Sequence, residues 1–160
     1  RTDSDISKLA GFEMFLGMYR TKIDDKGKLA LPGKWMEELS QGLILTRGVE
    51  QSLLVFPVSK FESVARGIDG LGLTSGDVRK WMRFLSALAT DLLPDKRGRI
   101  LILPSQLKYA GIVNDVLMVG LWSYVQIWDP PRYEELETRD APEIIQIAER
   151  VDKLIRAPVS

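Results

Sequence analysis

One stretch of the sequence occurs twice, and this repeat constrains the fold more than any other feature. Residues 24–32 read DDKGKLALP and residues 95–104 read DKRGRILILP. Each copy has an acidic residue, a glycine followed by a basic residue, a short apolar run and a proline. The first acid, the glycine and the basic residue recur at an offset of 71 positions. A shared pattern of this kind predicts two copies of one structural unit.

The residues around each copy predict the same order of elements. Residues 17–23 alternate in polarity, which predicts a half-buried strand. A tight turn is expected at 24–27, because Asp hydrogen-bonds within its own loop and Gly accepts a positive φ. A return strand, a short helix, two strands and another helix follow, and the second copy repeats this order. The sequence therefore predicts an α+β fold built from two tandem, pseudo-twofold-related units.

Two further helices are predicted outside the repeated strands. Residues 75–90 place apolar side chains at helical spacing and predict a connecting helix with a core-facing stripe: Val78, Trp81, Met82, Leu85 and Ala89. Residues 141–156 predict a C-terminal helix with its own stripe: Ile144, Ala148, Val151 and Ile155. A helix of that length is marginal alone, so we expect it to pack on its own chain or, alternatively, against a neighbouring subunit.

These elements predict five segments along the chain. The residues IDGLGLTSG, before the connecting helix, are expected to form a flexible joint. The predicted segments are an N-terminal extension (1–13), a first unit (14–67), a linker with the connecting helix (68–89), a second unit (90–137) and a C-terminal helical tail (138–160).

Composition narrows the chemistry that the chain can perform. The chain has no cysteine and no histidine, which excludes disulfides and thiolate catalysis and removes the usual general base and the commonest metal ligand. The acidic pairs Glu37–Glu38 and Glu134–Glu135 fall in predicted amphipathic helices, where a solvated face is the ordinary explanation. A phosphate-binding glycine-rich motif is also absent from the sequence. We therefore expect no enzyme, no catalytic residue, no metal and no cofactor.

Charge is balanced overall but unevenly distributed. The chain carries 22 basic and 22 acidic residues. Residues 15–48 have six basic residues against four acids, and residues 94–111 have four against one. Positive charge thus gathers around the repeated stretch, so any nucleic-acid contact is expected there. Without a membrane-length apolar run or a secretory pattern at its start, the sequence predicts a cytoplasmic protein.

The patterned segments of the chain include MFLGMYRTKIDDKGKLALP, GLILTRG, LLVFPVSKFE, DKRGRILILP, VLMVG and QIWDPPRYEEL. Taken in order, these segments resemble the MraZ family over roughly residues 14–137. The most specific part is the doubled motif of an acid followed four residues later by Lys or Arg. The resemblance implies two AbrB-like swapped-hairpin units in a bacterial transcriptional regulator that forms a ring-shaped homo-oligomer. It also implies binding to double-stranded DNA at direct repeats in a promoter upstream of cell-division and cell-wall genes, association with the nucleoid, and a neighbouring rRNA methyltransferase gene.

The resemblance further implies that basic side chains on the two hairpins contact DNA. Relatives commonly carry Arg at the position of Lys28, so we expect Lys28 to hold phosphate and Arg99 to read more of the base sequence. The alternative is that Asp24–Lys28 and Asp95–Arg99 are ion pairs that lock a hairpin. The expected contacts are Lys26, Lys28, Arg97, Arg99, Lys22, Arg20 and Lys96, and the expected positioning residues are Asp24, Gly27, Asp95 and Gly98.

A protein-interaction scaffold, for example for that methyltransferase, remains the second hypothesis. Trp122, Tyr124 and Trp128 lie at the end of the second unit, and exposed aromatic side chains are common anchors of protein interfaces. Packing in the core is the other explanation for these three residues.

Overall fold

The computed structural model describes residues 14–158. The predicted extension 1–13 and the last two residues of the predicted tail lie outside this range. The chain separates into two compact units, one up to Asp129 and one from Pro130 onward, and each is described here by itself.

The first copy of the repeat forms four strands and two helices. Its opening strand alternates in exposure as the sequence predicts, because every second side chain faces the interior. Pro32 precedes a single 3₁₀ turn at Gly33–Trp35. Proline has no backbone N–H, and at this position no helix or sheet hydrogen bond requires one. The elements are β1 (Met18–Lys22), β2 (Lys28–Ala30), α1 (Met36–Leu39), β3 (Leu43–Arg47), β4 (Leu53–Pro57) and α2 (Val58–Asp69).

The second copy follows a connecting helix and repeats the order of the first. Ser75 caps the connecting helix by accepting a hydrogen bond from the Val78 N–H at 3.4 Å. Gly111, with φ +67°, ends the short helix after the second return strand. The elements are α3 (Gly76–Ala87), β5 (Thr90–Leu92), β6 (Arg99–Leu101), α4 (Pro104–Ala110), β7 (Asp115–Leu121) and β8 (Tyr124–Trp128).

The strands of the two copies are exchanged. In neither copy does the opening strand pair with its own return strand: β1 pairs with β7 of the second copy, and β5 pairs with β3 of the first. The return strands β2 and β6 pair with each other. The result is a six-stranded antiparallel sheet in the order β1-β7-β8-β4-β3-β5 and a separate two-stranded ribbon, β2-β6. This arrangement confirms the predicted α+β fold with swapped hairpins.

The buried core draws on both sheets and the first short helix. Leu29 and Ile100 of the ribbon belong to the same buried cluster as Leu45 and Val55 of the large sheet. Trp35 is buried beside β1 and meets the Tyr19 ring edge to face at 4.8 Å between centroids. Burial of large apolar side chains contributes about 1.5–3 kcal/mol each, so this cluster holds the ribbon against the sheet.

Two helices differ from the sequence-based expectation. Helix α2 was expected to end near Phe61 but continues to Asp69, because Val64, Ala65 and Ile68 extend an apolar stripe that starts at Phe61. In α3, Leu85 is buried as expected, whereas Trp81 is 40% exposed and lies outside the core. Trp81 instead stacks on Phe84, with ring centroids 5.5 Å apart.

The unit from Pro130 onward is helical. It contains α5 (Pro130–Asp140), a 3₁₀ turn at Ala141–Glu143 and α6 (Ile144–Arg156). Five large apolar side chains of α6 remain 48–77% exposed, whereas Ile147 is half-buried, so this unit does not bury most of them by itself. Both expectations for how α6 packs therefore stay predictions. None of the helices in residues 14–158 combines the length and the apolar character that a membrane crossing requires.

Candidate nucleic-acid interface

The first repeated turn is organised by the side chain of Asp24. Its Oδ1 accepts hydrogen bonds from the backbone N–H groups of Lys26, at 2.9 Å, and Lys28, at 2.8 Å. The Asp24 N–H donates to the Lys28 carbonyl at 3.0 Å, and the Gly27 N–H donates to the Asp24 carbonyl at 3.1 Å. The carboxylate thus satisfies the donors at the tip of the turn, which is the role expected of an Asp at this position.

The second turn reproduces the first, bond for bond. Asp95 Oδ1 accepts from the N–H groups of Arg97, at 2.9 Å, and Arg99, at 3.0 Å. The Asp95 N–H donates to the Arg99 carbonyl, and the Gly98 N–H donates to the Asp95 carbonyl, both at 2.9 Å. The positioning role predicted for Asp24 and Asp95 has this geometric basis.

Each turn is also hydrogen-bonded to the other copy of the repeat. The Ile102 N–H donates to the Gly27 carbonyl at 2.8 Å, and the Leu31 N–H donates to the Gly98 carbonyl at 2.9 Å. These two bonds extend the β2-β6 ladder at both ends. The two turns are consequently the two ends of one ribbon rather than separate hairpin tips.

Glycine is required at the turn positions by backbone geometry. Gly27 has φ +81° and Gly98 has φ +73°, values that side-chain-bearing residues rarely adopt. A Cβ at position 27 would also lie 3.0 Å from the Ile102 carbonyl oxygen. The same glycine therefore sets the turn and permits the close approach of the second copy.

The outer face of the ribbon carries the charge. Leu29 and Ile100 point into the core, and Lys28 and Arg99 lie on the opposite side with Leu101, which is 37% exposed. Lys26, Lys96 and Arg97 are exposed in the turns, and Lys28 is half-buried. The structure thereby brings five of the seven predicted contacts together: Lys26, Lys28, Lys96, Arg97 and Arg99.

Arg99 differs from the other four cations because it is held by two carboxylates. Its Nε lies 3.0 Å from Asp95 Oδ2, and its Nη1 lies 3.6 Å from Asp24 Oδ2 in the other turn. The ion pair expected between Asp95 and Arg99 is present. Asp24 binds the backbone N–H of Lys28, and within residues 14–158 the Lys28 ammonium forms no ion pair. The two turns thus have equivalent backbone hydrogen bonds but different ion pairing at the equivalent positions of Lys28 and Arg99.

Both aspartates are stabilised in their charged form. The pKa of Asp24 is lowered chiefly by the hydrogen bond from the Lys28 N–H, and the pKa of Asp95 by the equivalent bond from the Arg99 N–H. Partial desolvation opposes this shift at both sites, and the Arg99 charge adds to it. The two carboxylates are therefore ionised wherever the protein is folded near neutral pH.

Comparison with known proteins supplies the family. The family model described as "MraZ protein, putative antitoxin-like" matches twice, over residues 14–84 and 85–154. The second match begins 71 positions after the first, which is the offset of the repeated turn. The chain belongs to the MraZ family.

Similar proteins from several bacteria share the name transcriptional regulator MraZ. The chain is 38% identical to a transcriptional regulator MraZ from Herpetosiphon aurantiacus over 138 residues, 86% of this chain and 96% of that protein. A transcriptional regulator MraZ from Thermomicrobium roseum is 36% identical over 142 residues, 89% of this chain and 100% of that protein. A third, from Micrococcus luteus, is 40% identical over 116 residues, 72% of this chain and 81% of that protein.

Two of the predicted contacts lie outside the ribbon of this MraZ-family chain. Arg20 and Lys22 are exposed on β1, an edge strand of the six-stranded sheet. Lys22 Nζ is 4.0 Å from Asp115 Oδ1, and both side chains are mostly solvent-exposed. The equivalent positions in the second copy are Asp91 and Leu93, so the basic strand is a property of the first copy alone.

The three aromatic residues considered as protein anchors separate into two groups. Trp128 is buried, and Tyr124 stacks on Phe56 with centroids 5.1 Å apart, so both pack inside the fold. Trp122 is 68% exposed and has φ +62°, at the turn between β7 and β8. Only Trp122 of the three remains a candidate anchor for a partner.

Proposed function

We propose that this MraZ-family chain is a sequence-specific DNA-binding transcriptional regulator, and that the β2-β6 ribbon is the part that contacts DNA. The observation that carries the proposal is the joining of both repeated turns into one exposed, basic ribbon. Four of its cations form no ion pair within 4.0 Å among residues 14–158: Lys26, Lys28, Lys96 and Arg97. Two-stranded ribbons are an established means of reading DNA grooves.

The dimensions of the ribbon suit a duplex. Gly27 and Gly98 are four ladder positions apart, because Gly27 bonds to Ile102 and Gly98 bonds to Leu31. At about 3.4 Å per residue, the two turns are separated by roughly 14 Å. The major groove of B-DNA is about 12 Å wide. One ribbon laid in the groove would thus place a basic turn near the phosphates on each side.

Self-assembly is the second part of the proposal. Four available cations on one chain give only modest affinity, since each neutralised phosphate adds a small, salt-dependent increment. A ring-shaped homo-oligomer that presents identical ribbons at fixed spacing gains affinity by linked binding to repeated boxes. This arrangement reconciles DNA binding with a net charge of zero.

Family membership supports a proposal for the target and the setting. We propose that the boxes are direct repeats in the promoter upstream of the division and cell-wall gene cluster. The protein would then act in the cytoplasm, in association with the nucleoid. Arg20 and Lys22, on the neighbouring edge strand, are proposed as flanking phosphate contacts.

One observation favours a second function. A tryptophan that is 68% exposed in a left-handed backbone conformation carries both a hydration cost and a conformational cost, and such positions are often functional. Trp122 would anchor a protein partner such as the neighbouring methyltransferase. Trp122→Ala should then abolish capture of that partner and leave DNA binding unchanged.

Gel shifts with the promoter DNA upstream of the protein's own gene test the main proposal. The decisive variant neutralises the ribbon with Lys26→Gln, Lys28→Gln, Lys96→Gln and Arg97→Gln, and binding should fall at least about tenfold near 0.15 M salt. The matched control removes four exposed cations from helices α2 and α3: Lys60, Arg66, Lys80 and Arg83, each replaced by Gln. Equal losses in the two variants would overturn the assignment to the ribbon.

A further inference from the structure

We propose that Arg99 is a positioning residue that couples the two turns, so that they present their cations to DNA as one surface. The proposal deepens the function proposed above and rests on it for its DNA-binding consequence. Arg99 belongs to the second turn by sequence, but its guanidinium also reaches the carboxylate of Asp24 in the first turn, 75 residues earlier in the chain.

The two oxygens of each turn carboxylate make different contacts. The Oδ1 atoms of Asp24 and Asp95 accept the backbone N–H groups of their own turns. The Oδ2 atoms face Arg99, at 3.6 Å from Nη1 and 3.0 Å from Nε, respectively. A planar guanidinium has donors in a fixed fork and can hold two acceptors at once. Arg99 therefore links the two turn-capping side chains through a hydrogen bond to Asp95 and a longer ion-pair contact with Asp24.

Among residues 14–158, only the second copy of the repeat provides a side chain that contacts both turn carboxylates. Lys28 occupies the position of Arg99 in the first copy, and its ammonium forms no ion pair within residues 14–158. A lysine ammonium is a compact charge on a flexible stem and does not bridge two carboxylates in a fixed plane. Among residues 14–158, ion pairing between the two turns thus runs through Arg99, although the backbone of the ribbon is nearly symmetric.

This arrangement assigns different roles to neighbouring cations. The Arg99 charge is already compensated by two carboxylates, whereas Lys26, Lys96 and Arg97 project from the turns into solvent. A bidentate base contact by Arg99 would compete with Asp24 and Asp95 for the N–H groups of its guanidinium. The expectation that Arg99 is the principal base reader is accordingly replaced by a positioning role in this proposal.

Hydrogen–deuterium exchange on the DNA-free protein tests the coupling without reference to DNA. Arg99→Lys keeps the charge but loses the fork. Exchange in the segment 24–28, in the other turn, should accelerate about twofold to fivefold, the size expected for a partly exposed charge pair. Acceleration confined to the segment 95–99 would overturn the coupling, as would no change in either segment.

A second substitution provides a rescue that a general loss of stability would not show. By the pseudo-twofold relation, Lys28→Arg places a guanidinium where it can reach both carboxylates from the opposite turn. Adding Lys28→Arg to Arg99→Lys should restore slow exchange in both turns. Lys26→Arg, added to the same background, supplies the same group at an exposed position and should not restore it. Equal rescue by both, or by neither, would contradict the proposal.

Promoter binding tests the functional consequence. Simple charge repulsion predicts that removing an acidic charge strengthens DNA binding, whereas the role proposed for Arg99 predicts that removing the Asp24 charge weakens it. Asp24→Asn keeps the turn-capping oxygen but removes the charge that holds Arg99, so promoter binding should weaken at least about threefold. Asp25→Asn, the matched control, removes an exposed acid at the next position and should strengthen binding. In the Arg99→Lys background Asp24→Asn should no longer weaken binding. Strengthening by Asp24→Asn in the wild type would overturn the role of Arg99. Absence of any promoter binding by the wild type would overturn the proposed function and leave the exchange result standing.

Discussion

Leu29 and Ile100 face each other across the β2-β6 ladder, and they are equivalent residues of the two repeats. Both are essentially inaccessible to solvent. Equivalent residues can be cross-strand partners only where the axis relating the two copies passes between them. The pseudo-twofold axis therefore runs through the centre of the ribbon, and one basic turn lies at each end.

We predict that Ile100→Ala destabilises the protein by about 2–5 kcal/mol, because it removes a buried branched side chain at the axis. Leu101→Ala, at the adjacent and 37% exposed position, should cost less than about 1 kcal/mol. Urea denaturation of both variants measures the difference. Equal costs would mean that the ribbon does not pack on the core as described.

We predict that Gly27→Ala destabilises the protein by about 1–2 kcal/mol, since a side chain is strained at φ +81° and meets the Ile102 carbonyl at 3.0 Å. Gly67→Ala is the control, because Gly67 lies in helix α2 with nothing within 4 Å of the added Cβ. That substitution should stabilise the protein by about 0.5–1 kcal/mol. Thermal denaturation would show opposite shifts, and shifts of the same sign would contradict the turn geometry.

Stability should decline in acid partly through the two turn-capping aspartates. Their pKa values are lower in the folded protein, so their contribution is complete above the ordinary aspartate pKa, near about 4. It is lost as the pH falls through the lowered values of the folded state. The double variant Asp24→Asn, Asp95→Asn keeps both capping oxygens but has no carboxylate to protonate. It should therefore lose less stability than the wild type when the pH is lowered from about 5 to about 3. Parallel curves for the two proteins would contradict this account.

The salt dependence of the DNA-binding constant should report how many phosphates the ribbon contacts. We predict that Arg97→Gln lowers the slope of log K against log salt concentration by about 0.9 for each chain that contacts DNA. Arg66→Gln, which removes an exposed cation from α2, should leave the slope unchanged. Fluorescence anisotropy over a salt series measures both. An unchanged slope for Arg97→Gln would remove that side chain from the interface.

Much of the fold could be predicted because the repeat states the same local pattern twice. The alternation in 17–23, the Asp and Gly of each turn and the proline after each return strand are local signals, and the structure has elements at all three. The extent of α2 could also have been predicted, since Phe61, Val64, Ala65 and Ile68 follow a helical period.

Other features depend on contacts that no local pattern records. In α3, Leu85 is buried, whereas Trp81 is exposed and stacks on Phe84. Helical spacing alone does not determine which of these apolar side chains faces the core. The Arg99–Asp24 contact arises only once β2 and β6 pair in their observed register. The spacing within one copy predicts the Asp95–Arg99 pair but not a partner in the other copy.

Site-specific DNA cleavage tests the central claim most directly, and the absence of cysteine makes the labelling clean. A single cysteine introduced as Lys96→Cys is coupled to a DNA-cleaving copper–phenanthroline group, and a second protein carries the same group through Lys60→Cys in helix α2. We predict that the label at position 96 cuts within each promoter box, whereas the label at position 60 does not cut there. Cleavage of the boxes from position 60, with none from position 96, would contradict the assignment of the ribbon as the DNA-binding surface.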